Sequence, residues 1–305
     1  GNPTAGWDGV RFLADTVGTP EFHDYDTLAV DADGLFICTN DFGSFGNDSC
    51  YSIPKADLLL AAPSIARMTR FEATPPNLPS VGGSIQPALD FGPSDGRAAL
   101  LGVSGGSLIR GNILNADGPG AATLGAVTTI TGAPFHSTPP DARQPHPFDP
   151  GVTIENVAPR IVANVFEQGD SLWTVHAVLG SFSNSAIRWY EINEVTNTVL
   201  QTGLIQKSNE DFYEPSIAVN EFGNVVIGYT CSGPNRAPSA CVSVGETVGG
   251  LTTFESPLVL RAGAGHYYRD FGTGRNRWGD YSATVIDPSD SCTFWTFQEF
   301  VAVSA

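Results

Sequence analysis

Five segments of this chain repeat one pattern: a short apolar strand, a polar turn that contains Gly or Asp, and a second strand. Their successive starts lie about 55 to 73 residues apart, which is long enough for several strands per repeat. Segments such as SAIRWYEIN (185–193) and TVLQTGLIQ (198–206) alternate apolar and polar residues, as half-buried strands do. A unit of about four strands that recurs around a ring is typical of a propeller blade. The repeats begin at Asp26, Gln86, Pro159, Glu214 and Gly279.

The repeat predicts an all-β fold, a five-bladed β-propeller that forms a single domain over residues 1–305. The N-terminal segment GVRFLADTV (9–17) predicts a spare strand that completes the last blade and closes the ring. The 34 glycines, 22 prolines and only 15% charged residues agree with a turn-rich β protein. The predicted blades cover, approximately, residues 20–80, 81–150, 151–207, 208–262, and 263–305 together with 9–17.

The charge balance restricts the partners of this chain. Its 15 Lys and Arg residues oppose 32 Asp and Glu residues, for a net charge of −17. Such a surface repels nucleic-acid phosphates and anionic membranes. No apolar run reaches the roughly 18 residues that a membrane span needs. We therefore expect a polysaccharide or another extracellular ligand as the partner, with self-assembly as a further possibility, and no nucleic acid.

The cysteines predict an oxidising compartment. Cys38 and Cys50 flank one loop-like segment, and Cys231 and Cys241 flank another, so each pair can staple a loop between neighbouring strands. The alternative is that these four are buried free thiols. Cys292 is left over, and we expect it to be buried in a strand. Stapled loops in an acidic chain with only two lysines predict an exported protein, extracellular or at the cell surface.

In a propeller the first strand of each blade lines the central channel, so the residues just before it meet at one mouth. The carboxylates among them, Asp26, Glu214 and Asp280, are candidate catalytic residues for a glycosidic bond. Two other uses are open: carboxylates can hold Ca²⁺, or Arg160 can neutralise its neighbours at a solvated channel. The register of the repeats places Asp26, Gln86, Arg160, Glu214 and Asp280 at this mouth.

A second candidate site is the segment HYYRDFGTGRNRWGDYS (266–282). Its arginines can bind carboxylates and its aromatic rings can stack on sugars, while His266 and Tyr267 can form an acid/base pair for β-elimination. The alternative is a long loop locked by Arg–Asp pairs around Trp278. The candidate substrate-binding residues are Arg160, Arg269, Arg275, Arg277, Trp278 and Tyr281.

Two turns resemble fragments of calcium-binding loops. DADG (31–34) contains Asp31 and Asp33, and DPSD (287–290) contains Asp287 and Asp290. Neither has the length of an EF-hand, and Asp and Gly are common in turns for other reasons. We predict Ca²⁺ with a structural role, either in these turns or at the channel mouth.

Three stretches carry a family resemblance: RWGDYSATVIDPSDSCTFWTFQEF, EPSIAVNEFGNVVIGY and DTLAVDADGLFICTNDF. With them the chain resembles exported bacterial β-propeller proteins with sialidase-like or BNR-like repeats. It is also similar, in blade number, to five-bladed glycosidase propellers. Those place carboxylates on three consecutive blades, whereas blades two and three of this chain offer Gln86 and Arg160.

These observations predict a carbohydrate-directed exported protein that binds or cleaves a polysaccharide at the channel mouth. As an enzyme it would be a glycoside hydrolase or a polysaccharide lyase. The alternative is a non-catalytic surface or matrix protein that uses the propeller as an interaction platform or a building block.

Overall fold

Strands account for 52% of the computed structural model and helix for 2%, so the predicted all-β class is correct. The structure describes every residue except 1–3, 5, 7, 15–20, 44–47, 73–77, 79, 147, 148, 150, 158, 271, 304 and 305. The chain packs as two compact units. Unit 1 comprises Gly1–Gly102 and Ile109–Thr128, and unit 2 comprises Val103–Leu108 and Thr129–Ala305. The single domain, the five blades and the ring closure stay predictions.

Unit 1 contains two series of hydrogen-bonded strands. Its elements are β1 (Phe22–Val30), β2 (Gly34–Phe42), β3 (Asp48–Pro54), α1 (Lys55–Leu58), β4 (Thr69–Phe71), β5 (Gly83–Asp90), most of β6 (Arg97–Ser104) and of β7 (Ser107–Leu114), and β8 (Thr123–Leu124). The first series has the order β1-β2-β3-β4, with every neighbouring pair antiparallel. The second has the order β5-β6-β7-β8. The two series fall within the first two predicted blades.

Unit 2 contains the remaining strands, except that the first residue of β9, Thr128, belongs to unit 1. They are β9 (Thr128–Thr129), β10 (Val165–Gln168), β11 (Ser171–Leu179), β12 (Ser185–Asn193), β13 (Thr198–Ile205), β14 (Asp211–Val219), β15 (Asn224–Gly233), β16 (Arg236–Val248), β17 (Leu251–Phe254), β18 (Leu258–Arg261), β19 (Ala283–Asp287) and β20 (Asp290–Phe297). Antiparallel series run β10-β11-β12-β13 and β14-β15-β16-β17, and β18 also pairs with β16. A two-stranded sheet, β19-β20, falls within the fifth predicted blade.

Asp and Asn side chains fix the turns that follow the first strands of several repeats. Asp31 Oδ1 accepts the backbone N–H groups of Asp33 and Gly34 at 2.7 and 2.6 Å. Asn220 Oδ1 accepts those of Phe222 and Asn224 at 3.1 and 2.8 Å. An Asp or Asn side chain that bonds the backbone ahead of it defines a tight turn. The polar turn of the sequence repeat is therefore this hydrogen-bonded turn.

The first strands of two repeats also share a β-bulge. The pairing of β1 with β2 shifts between Asp24 and Thr27. The pairing of β14 with β15 shifts between Tyr213 and Ser216. A bulge adds one residue to its strand and redirects the side chains on either side of it.

The residue within each bulge has a left-handed backbone. The φ angles are 54° at Tyr25 and 49° at Glu214, and Ser84 in β5 has a similar φ of 53°. This conformation is unfavourable for residues with a Cβ, so the surrounding hydrogen bonds must hold it. Matching the bulges pairs Tyr25 with Glu214 and Asp26 with Pro215. The structure thus corrects the register read from the sequence by one residue.

The structure contains both predicted disulfides. Cys38 and Cys50 face each other in β2 and β3, with their Cα atoms 4.1 Å apart. Cys231 and Cys241 join β15 to β16, with their Cα atoms 5.9 Å apart. The prediction for Cys292 is wrong in part: it lies in a strand, β20, but it is exposed, because a two-stranded sheet leaves side chains of that strand open to solvent.

The segment proposed to close the ring is only partly within the described residues. Residues 9–14 form no strand. The Phe12 ring lies 5.1 Å from the Tyr51 ring, and Arg70 donates to the carbonyl of Ala14 at 3.1 Å. These contacts hold residues 12–14 against β3 and β4 in unit 1. Residues 15–17 lie outside the described residues.

Removing the first disulfide should destabilise the protein. Changing both Cys38 and Cys50 to Ala frees a loop whose ends are 12 residues apart. Loop entropy then predicts a loss of about 2–3 kcal/mol in the free energy of unfolding, measured by urea denaturation. The control Cys292→Ala removes an exposed thiol and should change this free energy by less than about 0.5 kcal/mol. Equal stability of the double variant and the wild type would contradict the prediction.

Candidate functional site

An open groove of about 570 Å³ lies beside the second predicted site in unit 2. We call it the aromatic groove. Its lining includes Tyr267, Trp278, Gln298 and Glu299. Gln298 Nε2 donates to Ser216 at 3.1 Å, and its carbonyl oxygen is buried and has no hydrogen-bond partner among the described residues. Glu299 is exposed, so the groove combines two aromatic residues with one accessible carboxylate.

Trp278 holds the 266–282 segment against the sheet. Its indole N–H donates to Thr230 Oγ1 at 3.2 Å, and its ring meets that of Tyr267 edge-on at 4.8 Å. Both rings also pack against a small core that contains Ile154 and Tyr213. Trp278 is thus both a wall of the groove and a support for its shape.

Two of the three predicted arginines in this segment are paired with carboxylates. Arg277 donates to Asp280 Oδ1 at 2.7 Å, and Arg275 pairs with Glu155. Arg269 forms no ion pair within the described part of the chain. These Arg–acid pairs around Trp278 agree with the alternative prediction, in which the segment is a loop held by such pairs. A charge already compensated in this way contributes less to binding an acidic ligand.

A second, polar cavity of about 350 Å³ adjoins the same segment. Its lining includes Asp141, Glu155, Tyr268, Asp270 and Arg275. Asp270 Oδ1 accepts the backbone N–H groups of Thr273 and Gly274, so it fixes the local turn. Asp141 accepts the Asn156 N–H, and Arg275 pairs with Glu155, so the charged side chains of this lining already have partners within the protein.

Glu214 is a buried acid in β14. Only 4% of the residue is exposed. Burial, followed by the negative charge of Asp280, raises its pKa to about 8, while the Val157 backbone N–H and Arg160 oppose the shift. Its Oε2 has no hydrogen-bond partner among the described residues. At neutral pH this carboxyl is therefore protonated and can donate a proton.

Asp280 and Glu299 complete an acidic cluster with Glu214. Asp280 precedes β19, and Glu299 follows β20. Glu299 Oε2 accepts the Gly279 N–H at 3.1 Å. Partial burial of the carboxyl raises the pKa of Glu299, the Gly279 N–H opposes this shift, and the negative charge of Asp280 adds to it, although the residue as a whole is exposed. A Cβ at Gly279 would lie 2.4 Å from this carboxylate oxygen, so a side chain there would displace Glu299.

The structure brings together three of the five residues predicted at the mouth. Glu214, Asp280 and Arg160 are electrostatic neighbours in unit 2. Arg160 lies at a bend before β10, where its Nε donates to the Val157 carbonyl at 2.9 Å. Asp26 is exposed in β1 and Gln86 is buried in β5, both in unit 1. Their place beside the other three stays a prediction.

His266 and Tyr267 do not form a hydrogen-bonded pair within the described part of the chain. The His266 ring meets His146 edge-on, with ring centroids 4.8 Å apart. Burial raises the pKa of Tyr267, and Arg269 opposes that shift. Tyr281, the last predicted binding residue, is 50% exposed.

The oxygens of the predicted calcium ligands accept hydrogen bonds. Asp31 caps its own turn, and Asp33 accepts the Ser94 hydroxyl at 2.5 Å. Asp287 accepts from Ser289 and from the Trp295 indole. Asp290 accepts the backbone N–H of Cys292 at 3.0 Å and the Thr293 hydroxyl at 2.8 Å. The hydrogen bonds of the turns are enough to account for an Asp or Asn at these positions. Ca²⁺ at these turns therefore stays a proposal.

Sequence reasoning missed several polar groups. Glu299 follows the last strand and has no counterpart in the repeat, so no pattern pointed to it. In unit 1, Glu21, His23 and Asp41 each offer a potential ligand atom, and the three atoms lie within 4.8 Å of one another. His23 and Asp41 are far apart in sequence and meet only because β1 pairs with β2. Among the described residues, no helix is long and apolar enough to cross a membrane.

Comparison with family models and with curated proteins finds no match. Among solved structures, the subtype N11 neuraminidase-like protein of A/flat-faced bat/Peru is 13% identical, with a TM-score of 0.45 over 89% of this chain and 63% of that one. The GH43_1 enzyme from Xanthomonas citri is 10% identical, with a TM-score of 0.43 over 88% and 80%. The endo-arabinase from Bacteroides thetaiotaomicron is 12% identical, with a TM-score of 0.38 over 78% and 81%.

This chain spans less than two thirds of the length of the neuraminidase-like proteins, 58% of a subtype N10 protein and 63% of the N11 protein. Similarity at this level assigns neither a family nor an activity. The function proposed for this chain therefore depends on its own residues.

Replacing Glu214 by Gln should stabilise the protein increasingly as the pH rises from 5 to 8. The folded state holds a proton up to a pKa of about 8, whereas the unfolded chain releases it near 4.5. Unfolding therefore releases a proton in this window, and wild-type stability falls as the pH rises. Gln cannot ionise, so Glu214→Gln should gain on the order of a few kcal/mol at pH 8 relative to pH 5.

Thermal and urea unfolding at pH 5, 6, 7 and 8 measure this difference. Glu255→Gln, which changes an exposed carboxyl in the same unit, is the matched control and should show no such trend. A constant difference between Glu214→Gln and the wild type across the range would contradict the assignment.

Proposed function

We propose that this chain is a carbohydrate-directed extracellular protein that holds a sugar chain in the aromatic groove. The observation that carries the proposal is the combination of Tyr267 and Trp278 with the exposed Glu299 around a groove of about 570 Å³. That volume lies within the usual range of ligand sites. The two disulfides are compatible with an oxidising, extracellular environment.

The groove matches the two chemical faces of a sugar. The C–H face of a pyranose packs on an aromatic ring, and the hydroxyl groups on its rim donate hydrogen bonds to carboxylate and amide oxygens. Tyr267 and Trp278 offer the rings, and the exposed carboxylate of Glu299 offers the oxygens. The net charge of −17 favours a neutral sugar in a site where the nearby arginines are already paired.

A second candidate function, cleavage of the bound chain, is favoured by Glu214. A glycosidase needs one carboxyl that is protonated at the working pH and another that is ionised. Glu214 meets the first requirement through burial and its acidic neighbours. Its unpartnered Oε2 is a donor for a glycosidic oxygen once a ligand reaches it. Asp280 or Glu299 would then act as the base or the nucleophile.

Binding of polysaccharides by the purified chain tests the first proposal. We expect the wild type to retain at least one neutral polysaccharide on an immobilised panel, with calorimetry on each one retained. Glu299→Gln should weaken that binding about tenfold, because it replaces a charged acceptor by a weaker, neutral one. Glu255→Gln is the exposed control. Failure of the wild type to bind any neutral or acidic polysaccharide would refute the proposal.

Release of reducing ends from the retained polysaccharides tests cleavage. Glu214→Gln should lower the rate by at least about 100-fold while binding persists, because loss of a general acid costs on the order of 10²–10⁴ in rate. Equal rates for variant and wild type would exclude Glu214 as the acid. Binding without any cleavage by the wild type would leave a binding protein.

The non-catalytic alternative has a structural feature of its own. In β20 the side chains of Trp295 and Phe297 are 54% and 64% exposed, and β18 exposes Leu258 and Leu260. Apolar groups on strands that are open to solvent are typical of interaction surfaces. If no polysaccharide binds, the interaction platform becomes the favoured function.

A further inference from the structure

Arg188 carries an uncompensated positive charge in unit 2. It lies in β12 directly opposite His176 in β11, so the two side chains share one face of the sheet. The residue is half-buried, and its Nε has no hydrogen-bond partner among the described residues. Within that part of the chain no carboxylate lies within ion-pair distance of its guanidinium. A half-buried charge without a partner is costly.

Many of the other arginines of this acidic protein form ion pairs. The chain has only 15 basic residues against 32 acidic ones, so carboxylates are abundant. Arginines that form an ion pair within 4.0 Å are Arg67, Arg70, Arg97, Arg143, Arg236, Arg275 and Arg277. Arg261 and Arg269 also lack an ion pair among the described residues, but both are exposed, whereas Arg188 is half-buried. Its unpaired charge is therefore the more costly one.

His136 adds a buried polar group beside this charge. Only 4% of the residue is exposed, and neither ring nitrogen has a hydrogen-bond partner among the described residues. Its ring meets His176 edge-on, with centroids 4.4 Å apart. His176 itself is satisfied, because its ring nitrogens contact the Pro159 carbonyl at 2.7 Å and the Tyr190 hydroxyl at 3.0 Å. Of the two imidazoles, His136 is the one available to a ligand.

The two groups together have the chemistry of an oxyanion site. A guanidinium presents several N–H donors in a planar fork that matches carboxylate, sulfate and phosphate oxygens. A neutral imidazole adds one N–H donor. Burial, and then the charge of Arg188, lower the pKa of His136, which agrees with a neutral ring close to an uncompensated cation. An anion here would satisfy the orphaned donors and neutralise the charge.

We propose that Arg188 and His136 bind an oxyanion, the carboxylate, sulfate or phosphate group of a ligand. The proposal is independent of the aromatic groove, because none of the groove residues takes part in it. Arg188 is open enough to be reached from solvent, and the neighbouring Phe135 ring is 74% exposed. The arrangement was not visible in the sequence, where His136 stands in a proline-rich segment about 50 residues from Arg188.

Calorimetry and thermal unfolding with sodium sulfate, sodium phosphate and sodium glucuronate test the proposal, with sodium chloride at matched ionic strength as the baseline. We expect the wild type to bind one equivalent and its Tm to rise with anion concentration as mass action requires. Arg188→Gln should weaken binding at least about tenfold. The matched control is Arg261→Gln, which removes an exposed arginine that lies over the Phe300 ring, and it should bind like the wild type.

The relative affinities for the three anions indicate which oxyanion the site prefers. Tighter binding of glucuronate supports a sugar carboxylate, and tighter binding of sulfate or phosphate supports an inorganic or ester oxyanion. In chloride buffer Arg188→Gln should be at least as stable as the wild type, because it removes an unpaired charge. Should that variant fail to fold, His136→Gln provides the same comparison. Absence of saturable binding by the wild type, or equal binding by the variant, would overturn the proposal.

Discussion

Hydrogen bonds from the backbone of a turn to an Asp or Asn side chain at the end of the first strand fix the hairpins of this protein. Asp31 and Asn220 form such bonds in different units, and Asp287 does the same after β19. Because strand side chains alternate between faces, a slip of one residue would exchange every buried side chain for an exposed one. The position of each acidic residue in the first strands depends on this register.

The shared bulge shows how strongly the burial of a carboxyl depends on the register of its strand. In β14 the residue with the left-handed backbone is Glu214, whose carboxyl is buried. In β1 the same position is Tyr25, and the acid that follows it, Asp26, is exposed. The repeat thus places a tyrosine where another repeat places an acid. A difference of one residue within a common backbone decides which carboxyl becomes protonated at neutral pH.

The chain has few arginines, and some of them pair with acids whereas Arg188 does not. Arg275 and Arg277 pair with acids and stabilise the loop that shapes the aromatic groove. Arg160 partly offsets the cluster around Glu214. Arg188 does neither, since it stands beside neutral imidazoles. Unit 2 therefore contains a buried acid that Arg160 offsets only in part and a half-buried cation that has no ion-pair partner among the described residues, and the ligands proposed for the two differ.

The sequence by itself determined the all-β class, the two disulfides and the polar turns, because each depends on residues close together in the chain. Alternating apolar residues define strands, and Cys231 and Cys241 are only ten residues apart. The tertiary structure decided which distant groups meet. Glu214, Asp280 and Glu299 become neighbours through packing between β14 and the β19–β20 hairpin. His136 comes near Arg188 because its ring meets that of His176, which lies opposite Arg188 in the sheet. Burial and the resulting pKa of Glu214 are properties of that packing, which no local pattern encodes.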